Sequence, residues 1–250
     1  MSDSFDFKQF SIKQDRCAMK VGTDGVLLGA WTDLENNSRN YRVLDIGTGT
    51  GLIALMIAQR VSDKSNIIFS IDAIEIDTDA AIQAEENFNQ SRWCNSIHII
   101  NNSLQQFAQD LHSDKKYDCI VSNPPFYNAT LKPEDDARAV ARHKDSLPLF
   151  EITDFAKKHL TDEGTLSLIY PTDYDTEVTT AAILSGLHLI RICDVITKKN
   201  KPCKRRMATW TLASHPLKEI CRETLYIRDE NGQYTSQYKN LVKDFYIRLN

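Results

Sequence analysis

The chain has 250 residues, a formal net charge of −4 and a hydrophobic fraction of 42%. This length and apolar content suffice to bury the core of one large folded domain, which excludes an intrinsically disordered protein. The mild negative charge argues against a protein that binds nucleic acid over its whole surface. No window approaches roughly 18 uninterrupted apolar residues, and the amino terminus lacks the pattern of an export signal. We therefore expect a cytoplasmic protein that does not enter a membrane.

The cysteines indicate neither a metal site nor a disulfide framework. The six cysteines are scattered, without a C-x-x-C pair, and no histidine pair has metal-ligand spacing. Zinc sites and disulfide-rich scaffolds both require closely and regularly spaced ligands. We expect reduced, mostly structural thiols and no metal.

The first forty residues contain two short patterns. Apolar residues alternate between positions 5 and 12, which is typical of a short hairpin. Thr23 or Asp24 is then expected to cap a helix that carries the apolar residues 26–31. This region could be a packing element or could cover a ligand, and both interpretations remain open.

A strand, a glycine-rich loop and a helix follow one another between residues 42 and 58. This order is typical of nucleotide binding, because glycines let the backbone amides approach a ligand closely. The spacing is G-x-G-x-G, and Leu52 occupies the position where a dinucleotide-binding fold places its third glycine. The pattern therefore favours a nucleoside with an amino-acid portion over a diphosphate. The candidate cofactor residues are Asp45, Gly47, Gly49 and Gly51.

Polar residues follow the next two predicted strands. Residues 69–76 form a predicted strand with Glu75 at its tip, and a carboxylate at this place can accept hydrogen bonds from both ribose hydroxyls. Asp77 is expected to cap the helix that follows. A third strand, residues 96–100, precedes Asn102 and Ser103, which could contact an adenine ring or simply form a turn.

The tetrapeptide Asn123-Pro124-Pro125-Phe126 follows a buried-strand pattern at residues 117–122. Both prolines fix φ near −65° and lack a backbone donor, so the strand ends there and the adjacent acceptors are held rigidly. A rigid pair of acceptors beside an aromatic ring suits a planar amine. Taken alone, the same residues could be an ordinary turn.

With the glycine loop, Glu75 and this tetrapeptide, the chain resembles a Rossmann-like methyltransferase that uses S-adenosylmethionine. Residues 19–31 and 243–246 are further matches, and over nearly the whole chain it resembles the bacterial valine-tRNA adenine N6-methyltransferase family, which modifies the adenine beside the anticodon. The resemblance implies tRNA as the partner and S-adenosylhomocysteine as the product. It also implies that Lys20, Thr23 and Asn123 contact the cofactor. One departure is that Asn102 or Ser103 stands where the family often has an acid for the adenine amine.

The implied chemistry is one of orientation. The Asn123 side-chain oxygen and the Pro124 carbonyl would each accept one hydrogen of the exocyclic amine, which aims the nitrogen lone pair at the methyl group. Phe126 would stack on the base, and such stacking contributes about 1–3 kcal/mol. Alignment of reactants alone can contribute roughly 7–11 kcal/mol. Pro125 completes the rigid segment, and the sequence offers no obvious general base.

The remaining pattern alternates helices with strands, as a doubly wound sheet requires. We predict an α/β, Rossmann-like sheet of seven strands, mostly parallel, with an antiparallel C-terminal hairpin. The whole chain, 1–250, is expected to be one domain, and a monomer is favoured. It divides into an N-terminal element (1–40), a core (41–213) and a C-terminal extension (214–250).

The last predicted hairpin is strongly basic. Six of the nine residues from 198 to 206, here called the basic hairpin, are cationic. A charge run is usually a solvated loop, but beside a base-modifying site it is a candidate for phosphate contacts. The polar segment 128–143 is expected to continue the substrate rim, although an ordinary surface role is favoured over catalysis for its histidine. The candidate substrate-binding residues are Phe126, Arg142, His143, Lys198, Lys199, Lys201, Lys204, Arg205 and Arg206.

Two alternatives remain open at this point. The tetrapeptide suits amide and adenine amines alike, so a methyltransferase for a protein glutamine or for DNA adenine is a second possibility. A non-catalytic RNA-binding module that keeps the fold is a third.

Overall fold

The computed structural model describes residues 3–17, 20–34, 40–64, 67–126, 149–214 and 219–249. Its strands are β1 (Ser4–Asp6), β2 (Ser11–Lys13), β3 (Asn40–Ile46), β4 (Ile68–Glu75), β5 (Ile97–Asn101), β6 (Tyr117–Ser122), β7 (Leu160–Pro171), β8 (Leu187–Lys198), β9 (Arg205–Leu212) and β10 (Cys221–Arg228). Its α-helices are α1 (Thr23–Trp31), α2 (Leu52–Ser62), α3 (Thr78–Asn89), α4 (Leu104–Asp110), α5 (Leu149–His159), α6 (Asp175–Leu184) and α7 (Ser236–Val242). A 3₁₀ turn, Thr172–Tyr174, lies between β7 and α6.

The central sheet has eight of the described strands, in the order β10-β8-β9-β7-β6-β3-β4-β5. Strands β5, β4, β3, β6 and β7 are parallel, and β9 is antiparallel to both of its neighbours. The predicted α/β, mostly parallel sheet with an antiparallel C-terminal hairpin is confirmed. The predicted count of seven strands is wrong by one, because β10 pairs with the outer edge of β8 and satisfies its backbone groups.

The sheet brings the predicted site residues to one edge. Parallel strands end at the same edge, so the residues that follow β3, β4, β5, β6 and β7 meet there. The chain order reverses between β3 and β6, and open α/β sheets bind ligands at such a switch point. Strand β9 starts at this same edge, because Arg205 pairs with Pro171 at the end of β7. The tip of the basic hairpin therefore lies at the edge that carries the glycine loop.

Helices cover both faces of the sheet, as a doubly wound fold requires. One apolar cluster packs α1, α2, α3 and α7 on one face, and a second packs α4, α5 and α6 on the other. The close packing of α1 on α2 depends on Gly29, where a β-carbon would lie 2.9 Å from the sulfur of Met56. None of the described helices combines the length and apolar character needed to cross a membrane.

The amino-terminal hairpin packs against the carboxyl-terminal region. Strands β1 and β2 are antiparallel, which confirms the predicted hairpin, and Phe7 forms a β-bridge with Tyr246. The predicted cap of α1 is wrong. Gly22 is the N-cap residue and no side chain caps the helix, because Asp24 instead pairs with Arg205 at 2.8 Å.

Candidate active site

A cavity of about 430 Å³ lies at the carboxyl edge of the sheet. Its walls come from the start of α1, the glycine loop, the tetrapeptide and the end of β7. The structure thus brings together Lys20, Thr23, Gly47, Gly49, residues 123–126 and Arg205. The other described candidates lie outside this lining, and their contacts are given below. They are Asp45, Gly51, Glu75, Asn102, Ser103, Lys198, Lys199, Lys201, Lys204 and Arg206.

The glycine loop has a backbone that only glycine adopts easily. Gly47, Gly49 and Gly51 have φ values of 70°, 58° and 88°. A β-carbon on Gly51 would lie 2.3 Å from the ring of Phe88, so this position also requires glycine for packing. At Gly47 and Gly49 a β-carbon would meet no atom within 4 Å, which leaves open space beside the backbone for a ligand. The loop therefore fits a nucleoside cofactor.

Asp45 stabilises the glycine loop through hydrogen bonds. Its Oδ2 accepts hydrogen bonds from the Thr48 hydroxyl at 2.7 Å and from the Ala54 amide at 3.1 Å. Its Oδ1 is buried without a hydrogen-bond partner among the described residues. Burial raises the pKa of Asp45 to about 7, although the bonds from Thr48 and Ala54 oppose this shift. Asp45 is thus a buried carboxyl group that ties β3, the loop and α2 together.

Glu75 lies next to the loop, at the end of β4. Its Oε2 accepts the Gly49 N–H at 2.8 Å, and its Oε1 accepts the Asp77 N–H at 2.9 Å. Asp77 caps α3 through its bond from the Ala80 amide, which confirms that prediction. Ile76, which follows Glu75, is 59% exposed and provides an apolar surface beside the carboxylate.

Asn102 and Ser103, which follow β5, form hydrogen bonds within the protein. The side-chain oxygen of Asn102 accepts the Ser103 N–H, and the backbone N–H of Asn102 donates to the backbone carbonyl of Glu75. The Ser103 hydroxyl accepts the Gln106 N–H and caps α4. Each side chain still has a donor that could bind a purine nitrogen.

The tetrapeptide continues directly from β6. The hydroxyl of Ser122, the last residue of β6, donates to the Ile46 carbonyl at 2.7 Å, which joins the ends of β6 and β3. Phe126 contacts two further aromatic rings. The ring centroids of Phe126 and Tyr174 are 4.9 Å apart, and those of Phe126 and Tyr170 are 6.5 Å apart. We call Tyr170 and Tyr174 the aromatic wall.

The segment that leads to Lys20 is bound to α3. We call residues 13–17 and 20–25 the amino-terminal strap. The Asn87 side chain accepts the Lys13 N–H and donates to the carbonyls of Lys13 and Thr50. Gln83 accepts the Arg16 N–H at 3.0 Å. Sequence reasoning missed Asn87, although Gln83 and Asn87 are four residues apart on the side of α3 that carries Ala80 and Ala84, which was an available signal.

The cationic side chains of the basic hairpin differ in their exposure and in their ion pairs. Lys199 pairs with Glu230 at 3.0 Å, and Arg205 pairs with Asp24. Arg206 contacts Asp175 and Asp194, each at 2.7 Å. Lys201 and Lys204 are exposed, and Lys198 is half-buried. Arg142 and His143 lie outside the described residues.

Metal-binding residues do not cluster in the parts of the chain that the structure describes. No group of three or more histidine, cysteine, aspartate or glutamate side chains there could hold a metal ion. The site consists of backbone amides, amide and carboxylate side chains, and aromatic rings.

Comparison with solved structures identifies the fold. The chain is similar to a predicted O-methyltransferase from Agrobacterium tumefaciens, with a TM-score of 0.61, 14% identity and coverage of 89% of this chain and 96% of that one. It is also similar to a putative class I S-adenosylmethionine-dependent methyltransferase from Listeria monocytogenes, with a TM-score of 0.56, 15% identity and coverage of 80% and 62%. At these identities the likeness concerns the fold alone.

Comparison of sequences identifies the family. The family model described as "Methyltransferase small domain" matches residues 26–200. A protein of Trichodesmium erythraeum named tRNA1(Val) (adenine(37)-N6)-methyltransferase is 44% identical over 98% of both chains. Proteins of the same name from Christiangramia forsetii and Bacteroides fragilis are 42% and 41% identical over the same share. The chain therefore belongs to the methyltransferase small domain family, in the group formed by these relatives, which confirms the family inferred from its motifs.

Proposed function

We propose that this protein transfers the methyl group of S-adenosylmethionine to the N6 amine of adenine 37, beside the anticodon, in a valine tRNA. The observation that carries the proposal is the shared cavity, which both the glycine loop and residues 123–126 line. A cofactor loop and an amine-binding motif have to meet at one place for methyl transfer. The printed names of the relatives support the choice of tRNA as the substrate.

Residues of the carboxyl edge would hold the cofactor. Glu75 would accept hydrogen bonds from the ribose hydroxyls, because each of its oxygens keeps a lone pair beyond its bond to the backbone. Ile76 would pack on the adenine ring, with Asn102 and Ser103 at its polar edge. Lys20 and Thr23 would bind the amino-acid portion from the start of α1. When bound, S-adenosylmethionine supplies an electrophilic methyl group.

The tetrapeptide would orient the substrate amine. The Asn123 side-chain oxygen and the Pro124 carbonyl each accept one amine hydrogen, so the nitrogen lone pair faces the methyl carbon. Transfer would form the N–C bond as the C–S bond of the donor breaks, and the nitrogen would then release one proton to solvent. Phe126 stacks on the base after the base leaves its neighbours in the anticodon loop.

The basic hairpin would bind the RNA backbone. Its tip lies next to the end of β7, because the Thr172 amide donates to the Lys204 carbonyl at 3.3 Å. Lysine and arginine contacts to phosphates provide much of the affinity of RNA-binding surfaces. A hairpin that begins at the cavity, where Arg205 lies, would guide the anticodon loop toward the tetrapeptide.

We also propose that residues 1–250 act as one methyltransferase domain. Hydrogen bonds to the carboxyl-terminal extension support this view. The Lys8 backbone amide of the N-terminal element donates to the Phe245 carbonyl at 2.8 Å, and the Gln59 side chain of the core donates to the Asp244 carbonyl at 2.9 Å. The N-terminal element (1–40), the core (41–213) and the extension (214–250) would therefore unfold together.

The test is methyl transfer to an unmodified tRNA transcript by Asn123→Ala. The loss of one hydrogen-bond acceptor aimed at the reacting group should lower the single-turnover rate on the order of 100-fold. The dissociation constant for S-adenosylmethionine should change much less than this rate, because Asn123 is only one of several predicted cofactor contacts. Asn231→Ala, in an exposed turn, is the matched control. Undiminished activity of Asn123→Ala would refute the mechanism.

The choice of substrate needs a separate comparison. Wild-type enzyme should methylate the tRNA transcript but neither duplex DNA nor a glutamine peptide. Charge reversal at Lys201 and Lys204, the exposed lysines of the basic hairpin, should impair RNA methylation and leave any peptide methylation unchanged. Failure to bind S-adenosylmethionine at millimolar concentration in calorimetry would favour a non-catalytic RNA-binding module.

A further inference from the structure

The cations of the basic hairpin fall into two groups. Lys201 and Lys204 are exposed at its tip, where a phosphate could reach them. Arg206 is different, because its side chain is only 22% exposed and is held between two carboxylates. Its Nη1 contacts Asp175 Oδ1 and its Nε contacts Asp194 Oδ1, both at 2.7 Å. Arg206 therefore already has anionic partners within the protein.

One of these partners connects Arg206 to the aromatic wall. Asp175 Oδ1 also accepts the hydroxyl hydrogen of Tyr170 at 3.0 Å. Burial, followed by the proximity of Asp175, raises the pKa of Tyr170, so this hydroxyl stays protonated and continues to donate. Asp175 is the first residue of α6, directly after Tyr174. Asp175 thus links the Arg206 guanidinium to both rings that contact Phe126.

The strand register brings these groups together. Arg206 pairs with Tyr170 across β9 and β7, and with Asp194 across β9 and β8. The guanidinium thus joins β8, through Asp194, to the start of α6, through Asp175. Transfer of Arg206 to an RNA phosphate would leave two half-exposed carboxylates without a cation beside the catalytic motif. Such a transfer would also loosen the aromatic wall during the reaction.

On the basis of the proposed function, we infer that Arg206 is a positioning residue of the catalytic motif and not a phosphate ligand. Through Asp175 it holds Tyr170 and Tyr174 against Phe126, which fixes the ring on which the target base stacks. The lysines at the tip of the hairpin, Lys201 and Lys204, bind the phosphates. This assignment differs from the role in phosphate binding that charge alone predicts for Arg206.

The test separates RNA binding from the methyl-transfer step. Arg206→Gln should lower the single-turnover rate at saturating tRNA by about tenfold or more. Its dissociation constant for tRNA and the slope of that constant with salt concentration should stay within about twofold of the wild-type values. Lys204→Gln should instead weaken tRNA binding and reduce the salt slope by about one unit. Lys158→Gln, which removes an exposed cation on α5, should change none of these quantities.

Two further variants show whether Arg206 acts through Asp175. Asp175→Ala should reproduce the rate loss of Arg206→Gln, and the double variant should be no slower than the slower single variant. Arg206→Lys keeps the charge but cannot reach both carboxylates with two separate nitrogens, so it should stay slow. Unchanged binding of S-adenosylmethionine and an unchanged melting temperature would separate this effect from a general loss of structure.

Three results would overturn the inference. If Arg206→Gln weakens tRNA binding and lowers the salt slope as Lys204→Gln does, Arg206 is a phosphate ligand. If Arg206→Lys restores the full rate, charge alone is sufficient. If wild-type enzyme methylates no tRNA, the proposed function fails and the inference fails with it, whereas the first two results leave the proposed function intact.

Discussion

The carboxylate of Glu75 holds the backbone of Gly49, because its Oε2 accepts the Gly49 N–H at 2.8 Å. The other oxygen accepts the Asp77 N–H, so the same side chain fixes the glycine loop and the turn that leads into α3. The acid expected to bind the ribose thus also shapes the loop over which the cofactor would lie. A change at Glu75 should therefore affect the cofactor site in two ways.

We expect Glu75→Gln to weaken S-adenosylmethionine binding. The amide replaces one acceptor oxygen with a donor, so one backbone N–H loses its partner and one ribose hydroxyl loses its acceptor. Loss of a charged hydrogen bond costs about 1.5–3 kcal/mol, or roughly 10- to 100-fold in the dissociation constant. Calorimetric titration measures this change. Glu85→Gln, on the exposed side of α3, is the control, and equal affinities for the two variants would contradict the role of Glu75.

Contiguous motifs made much of the site predictable. The glycine loop, Glu75 and the tetrapeptide are each short segments at the end of a strand, and parallel strands place such segments at one edge. The basic hairpin was predictable from its charge. Its partners were not, because Asp24, Asp175 and Asp194 come from separate elements and nothing local links them to the hairpin.

Other features depend on contacts between distant parts of the chain. The sequence alone places strand β10 in an extension, because the pairing of β10 with β8 depends on an edge that exists only in the folded sheet. The cap of α1 was predicted from residue type, but Arg205 draws Asp24 into an ion pair. Tyr174 was missed because its proximity to Phe126 follows from packing across the edge of the sheet.

We expect Gly51→Ala to destabilise the fold strongly. The new β-carbon would lie 2.3 Å from the Phe88 ring, in addition to the strain of a φ of 88°. Gly232→Ala is a matched control, because Gly232 has a φ of 82° and open space around it. The strain contributes about 1–2 kcal/mol to both variants, and overpacking adds about 1–3 kcal/mol to Gly51→Ala only. Urea unfolding measures the free energy of unfolding of both variants. Equal losses of stability would show that the Phe88 ring moves aside without an energetic cost.

We expect Asp45→Asn to change the pH dependence of stability. Burial raises the pKa of Asp45 to about 7, compared with about 3.9 in an unfolded chain. Between these values the folded protein keeps a proton that the unfolded chain has lost, so this group makes the free energy of unfolding fall as pH rises. The fall is at most about 1.4 kcal/mol per pH unit and ends above pH 7.

The measurement is urea unfolding of both proteins between pH 5 and pH 8. Asn cannot titrate, so the stability of Asp45→Asn relative to wild type should increase from pH 5 to about pH 7 and then level off. Parallel pH profiles for the two proteins would mean that Asp45 is ionised throughout this range in the folded state.

We expect Asn87→Asp to loosen the amino-terminal strap and the glycine loop together. The side-chain nitrogen of Asn87 donates to the carbonyls of Lys13 and Thr50, at 3.1 and 2.9 Å. A carboxylate oxygen at the same place would face two acceptors in a site that is only 1% exposed. Loss of such buried bonds costs about 1–3 kcal/mol each. Stability should fall at pH 7, and the affinity for S-adenosylmethionine should fall with it, because the strap leads to Lys20 and Thr23.

The stability of Asn87→Asp should recover in part at low pH. A protonated aspartic acid can again donate one hydrogen bond, so the stability gap between Asn87→Asp and wild type should narrow between pH 7 and pH 5. Asn89→Asp makes the same charge change at an exposed position of α3, and its cost should stay below about 1 kcal/mol at both values. If Asn87→Asp destabilises the protein but binds S-adenosylmethionine with wild-type affinity, the strap only packs against α3 and does not shape the cofactor site.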